Sequence, residues 1–85
     1  MPYISNEKNR RKDMDKIVKL MGELNVKANG DLNYILYAFC KRYTIPSYNS
    51  YKNFIGELDC CAREIYRRLV AEYEDEKIYI NGDVD

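Results

Sequence analysis

The feature that most constrains this chain is a long apolar stripe in its second half. Phe54, Ile55, Leu58, Ala62, Ile65, Leu69 and Tyr73 recur at intervals of three and four, which marks one face of a helix. No Pro interrupts the segment, and Gly56, its one weak helix former, lies roughly opposite the stripe. The pattern predicts a helix over about residues 49–77, capped by Ser47 or Ser50. Such a helix extends about 42 Å, roughly twice the length of its neighbour.

Two shorter segments precede it. Met14, Ile17, Val18, Met21 and Leu24 share one face of a helix expected over about 7–24, with Ser5 or Asn6 as the cap. Asn25 to Gly30 then supplies turn residues. Asp31 is the expected cap of a second helix over about 31–44, whose stripe is Leu32, Ile35, Leu36, Phe39, Cys40 and Tyr43. Thr44-Ile45-Pro46 ends it, because the residue before Pro disfavours helical angles. In the tail, 78–85, Ile78 and Ile80 alternate with Tyr79 ahead of the turn dipeptide Asn81-Gly82, which reads as a short strand or arm. Met1-Pro-Tyr-Ile4 is similar in kind. The expected fold class is therefore all-α: a single domain over 1–85, a three-helix bundle with a long third helix and short extended N- and C-terminal arms.

The third stripe outruns any cover the second helix can give, and a chain of 85 residues builds only a modest core. The expectation is a homo-oligomer, most simply a two-fold dimer through the third helix.

Composition excludes several function classes. The chain has no His, which removes the usual zinc sites, a Ser-His or Cys-His pair and imidazole acid-base chemistry. Cys40, Cys60 and Cys61 are odd in number and two are adjacent, so no disulfide framework fits and a reducing cytoplasm is expected. No metal, cofactor or catalytic residue is expected, and no phosphate-binding Gly motif is present. No apolar run approaches the ~18–20 residues of a membrane span, and no signal peptide is visible.

The formal net charge of zero hides an asymmetry. Residues 1–42 hold nine basic and five acidic residues, and residues 43–85 hold five and nine. Arg10, Arg11 and Lys12 form a basic patch at the start of the first helix, and the run Glu72 to Glu76 closes the third; each sits at the dipole end that disfavours it. Docking of the two runs, within a chain or across a dimer, explains both. The alternative is a basic patch that meets a phosphate, although a neutral chain makes nucleic acid an unlikely partner.

Arg63 and Arg67 share a face of the third helix, flanked by Tyr66, while Glu64 can pair Arg68 and Asp59 can reach Arg63. Two guanidinium forks at i and i+4 suit an anion between them; a solvated or salt-bridged face is the alternative. Tyr34, Tyr37 and Lys41 lie on the outer face of the second helix, a stripe suited to a partner surface or to stacking on a flat ring. These six residues are the candidate ligand-binding set.

The opening Met1-Pro-Tyr-Ile4, the centre Gly30-Asp-Leu-Asn-Tyr34, the stretch Glu64-Ile-Tyr-Arg-Arg68 and the ending Tyr73-Glu-Asp-Glu-Lys-Ile78 with Asn81-Gly-Asp-Val84 resemble a small uncharacterised family found in bacteriophages and bacteria. The resemblance spans nearly the whole chain. It implies an accessory protein made in a bacterial cytoplasm, acting by binding, and assigns no residue a role. Three functions follow as expectations: an oligomer that binds and sequesters a small anionic, nucleotide-like ligand; an interaction module that inhibits or adapts a host or phage protein; or a weak nucleic-acid binder.

Overall fold

The computed structural model describes residues 9–84; the N-terminal arm and the caps expected at Ser5 or Asn6 lie outside them. Three helical stretches follow in order: α1 (Arg10–Glu23), α2 (Gly30–Tyr43), and a rod built of α3 (Tyr48–Ile65), a π turn (Tyr66–Val70) and α4 (Ala71–Asn81). No strand occurs among the described residues. The class is the all-α, three-helix one expected, with a long third helix.

Local chemistry sets each boundary. Asn9 enters α1 at φ 60, with no side-chain cap; Asn tolerates this left-handed region better than most residues. At the other end Asn25 turns left-handed at φ 57. Its N–H donates to Gly22 O at 3.1 Å, and that of Val26 to Met21 O at 3.0 Å. This is a Schellman ending, with Val26 and Met21 both half-buried where their side chains are expected to meet.

The cap of α2 is Asn29, not Asp31: the Asn29 side chain accepts from the Asp31 N–H at 2.8 Å. Asn and Asp are near-equal caps, so sequence does not choose between them. Asp31 instead sits in the first turn at the positive dipole end and accepts from the Lys27 N–H at 3.3 Å. Thr44 leaves the helix in an extended conformation, one residue before the expected end. Ser47 caps α3 by accepting from the Ser50 N–H at 3.1 Å.

The rod continues past its expected end. Ile78 to Asn81 are helical, so the extended C-terminal arm is confined, among the described residues, to 82–84. Adding a residue to a formed helix costs little compared with nucleating a new element, and three alternating residues do not overcome that. Asn81-Gly82 marks a helix stop, with Gly82 at φ 87 and its N–H donating to Ile78 O at 2.8 Å.

The chain divides into two units, one reaching Tyr51 and one starting at Lys52. In the first, Met14, Met21, Val26, Leu32, Ile35, Leu36 and Cys40 are half-buried, while Ile17, Val18 and Leu24 of the α1 stripe are exposed. Phe39 and Tyr43 stack one turn apart on α2, ring centroids 5.6 Å apart. Among the described residues of the second unit, only Phe54, Glu64 and Ala71 are half-buried. No described residue of either unit is fully buried.

Candidate functional site

On the rod, the candidate cations surround one carboxylate. Glu64, its side chain only 18% exposed, accepts from Arg67 Nη2 at 2.6 Å, and Arg68 Nη1 lies 3.7 Å from the same oxygen. The expected Glu64–Arg68 pair is therefore present, but the shorter bond goes to Arg67. Asp59 and Arg63 form no ion pair with each other. Arg67 thus points to Glu64, which half satisfies the fork that an anion would need.

Tyr66 lies beside this cluster, and its hydroxyl donates to Glu74 Oε2 at 2.9 Å. The bond spans eight residues because the π turn intervenes. The Ala71 N–H donates to Tyr66 O, five residues back, where an α-helix would use four. That spare residue removes about 100° of phase and brings Glu74 onto the Tyr66 face. Glu74 holds the Tyr66 phenol above its ordinary range, chiefly by accepting the hydroxyl's hydrogen bond and then by its charge, with lesser contributions from desolvation and Asp75.

On α2, Tyr34 and Tyr37 are about two-thirds exposed, as the outer-face reading requires, and Lys41 is exposed beside them. The residue that reaches Tyr34 is Arg42, whose Nη2 donates to the Tyr34 hydroxyl at 3.3 Å. Sequence spacing favoured Lys41 and missed Arg42, because face diagrams neglect the reach of a guanidinium.

The basic patch Arg10, Arg11 and Lys12 opens α1, and all three residues are exposed. Ion pairs downstream are local, Lys16 with Asp13 at 3.5 Å and Lys19 with Glu23 at 3.8 Å. The acidic run 72–76 is not at a helix C-terminus, since α4 starts at Ala71 and continues to Asn81. The dipole penalty expected for it therefore fades, because that effect is confined to the last turn.

Among the described residues, no three His, Cys, Asp or Glu side chains are placed to hold a metal ion, and no helix is long and apolar enough to cross a membrane. Cys40 is half-buried, and Cys60 and Cys61 are exposed; all three are free thiols.

A family model described as a domain of unknown function, DUF6899, matches residues 1–84. The chain belongs to this family. No match was found among curated proteins or among solved structures. The DUF6899 assignment agrees with the resemblance to an uncharacterised family and brings no residue roles with it, so the site rests on its geometry.

Proposed function

We propose that this DUF6899 protein is a non-enzymatic accessory protein of the bacteriophage or bacterial type, oligomeric through its rod, which acts in the cytoplasm by binding another protein. The observation that carries this reading is that no described residue is buried while large apolar and aromatic side chains stand exposed on α2 and on the rod. A chain of this length whose described residues form no buried core gains stability from what it binds. Tyr34 and Tyr37, with Arg42 holding the Tyr34 hydroxyl, offer the aromatic and guanidinium chemistry that dominates protein interfaces.

A small anionic, nucleotide-like ligand is the second reading, favoured by Arg63, which makes no ion pair among the described residues. It ranks lower because an anion at Arg67 competes with Glu64 at 2.6 Å. Weak nucleic-acid binding through Arg10 to Lys12 ranks third, since the charges of the whole chain balance.

Affinity capture from a bacterial lysate tests the reading when three baits are compared. The wild type and Arg63→Ala should retain the same protein, and Tyr34→Ala/Tyr37→Ala should lose it. Calorimetry against a panel of nucleotides should give no heat. Heat that disappears in Arg63→Ala, with capture unchanged by the tyrosine substitutions, overturns the reading in favour of the anionic ligand.

A further inference from the structure

The π turn rewrites which residues form the seam of the rod. In an unbroken helix the heptad that holds Ile55, Leu58, Ala62 and Ile65 continues to Leu69, Glu72 and Glu76, placing two carboxylates in an apolar seam. The turn inserts one residue, and the Tyr66–Glu74 bond at 2.9 Å records the shift. After it the heptad passes to Val70 and Tyr73, then to Lys77 and Ile80, and both glutamates leave the seam. Among the described residues this edge stands open: Ile55 is 60% exposed, Ile65 48% and Tyr73 59%.

We infer that the seam is covered by the same seam of a second copy running antiparallel, with the π turn setting the register. This rests on the assembly proposed above and specifies its geometry. In antiparallel pairing Ala62 meets Ile65 of the partner subunit, Leu58 meets the partner's Val70, and Ile55 meets the partner's Tyr73. Each small residue faces a large one, and every layer occurs twice. A parallel pair instead sets Ala62 on Ala62 and Lys77 on Lys77, leaving a gap and a repulsion.

The flanking positions agree. In antiparallel coiled coils the residues beside the seam meet their own kind across the interface. That places Lys52 beside Glu74 of the partner subunit, Cys61 beside the partner's Arg68, Asp59 beside the partner's Tyr66 and Phe54 beside the partner's Glu76. No like charges face each other. Glu74, which fixes Tyr66 within its own chain, thus becomes the anion that meets Lys52 across the dimer. Arg63, Glu64 and Arg67 lie on the outer side, so the arginine cluster stays accessible.

Charge exchange in the full-length protein tests this. Lys52 and Glu74 are 22 positions apart on one rod, about 33 Å at 1.5 Å per residue, so they couple only between copies. Sedimentation equilibrium should find a dimer. Lys52→Glu should weaken it about tenfold, since two flanking pairs per dimer turn repulsive, and Lys52→Glu/Glu74→Lys should restore most of the loss. Circular dichroism checks that each variant remains helical. A dimer in which the double variant is no tighter than Lys52→Glu overturns this register and leaves the proposed assembly standing. A helical monomer at every concentration overturns both.

Discussion

Two tyrosines in this chain each hold a charged side chain eight residues further on, and they do so by different means. Tyr34 and Arg42 lie on α2, an unbroken helix, where eight residues amount to two turns and about 80° more. Only a side chain as long as Arg spans that angle, and the bond is 3.3 Å. Tyr66 and Glu74 lie on the rod, where the π turn takes up the extra residue and a shorter carboxylate reaches the hydroxyl at 2.9 Å. In α2 the reach of a side chain compensates for phase; in the rod the backbone changes phase. The second solution also moves every residue beyond it, and so decides which face of α4 continues the stripe of α3.

The sharpest way to break this comparison is to insert one Ala after Leu69. One residue more, with the π turn kept, turns everything beyond it by about 100°, brings Glu72 and Glu76 to the seam, and carries Glu74 off the Tyr66 face. Helicity by circular dichroism should persist. Self-association should fall at least about a hundredfold, because two carboxylates per copy then face an apolar partner, each costing about 1–3 kcal/mol. Unchanged self-association would show that the phase shift has no part in it.

The glycines at either end of the second unit give the next largest effects, with opposite signs. Gly82 leaves the helix at φ 87, so Gly82→Ala should destabilise the end of α4 by about 1–2 kcal/mol. An added Cβ at Gly56 meets nothing within 4 Å, and that residue sits inside α3. Gly56→Ala should therefore stabilise by about 0.5–1 kcal/mol. Thermal melts of the two variants beside the wild type check both signs; a Gly82→Ala protein that melts higher would mean the stop at Asn81 is not set by backbone strain.

The sequence made the three helices legible because each carries a stripe at helical spacing, and the breaks at Asn25 to Gly30 and at Pro46 are chemically plain. The cap at Asn29 was hidden by a nearby Asp that does the same job equally well. The helical course of Ile78 to Asn81 was hidden because three alternating residues imitate a strand, and only the helix already running into them settles the matter. At the site, the Glu64–Arg68 pair followed from favourable spacing. The stronger Glu64–Arg67 bond did not, since rotamers decide between neighbours that spacing treats alike. The π turn left a trace that can be read only in retrospect: continuing the heptad of Ile55, Leu58, Ala62 and Ile65 runs into Glu72 and Glu76, whereas skipping one residue restores Val70, Tyr73 and Ile80. Tyr66–Glu74 was invisible until that skip was known, because in straight-helix arithmetic the two residues face different ways.

The smallest effect is the most specific to the rod. Glu74 raises the Tyr66 phenol above its ordinary range, first through the hydrogen bond and then through its charge, whereas the Tyr34 hydroxyl accepts its bond from a cation. A phenol favoured in its protonated form stabilises the folded state fully below its unfolded value, about 10. The contribution is lost as pH rises from there through the folded value, because the unfolded chain then releases the proton first. The stability difference between wild type and Tyr66→Phe should therefore be constant near neutrality and shrink in the alkaline range. The pair is exposed, so added salt should weaken the part due to charge. NMR titration of the Tyr66 ring reads the same quantity directly: Glu74→Gln, which keeps an acceptor and removes the charge, should bring the midpoint partway back, and Glu74→Ala should bring it back further. If both variants titrate like the wild type, Glu74 is not what holds the phenol, and the bond that marks the phase shift does not form in solution.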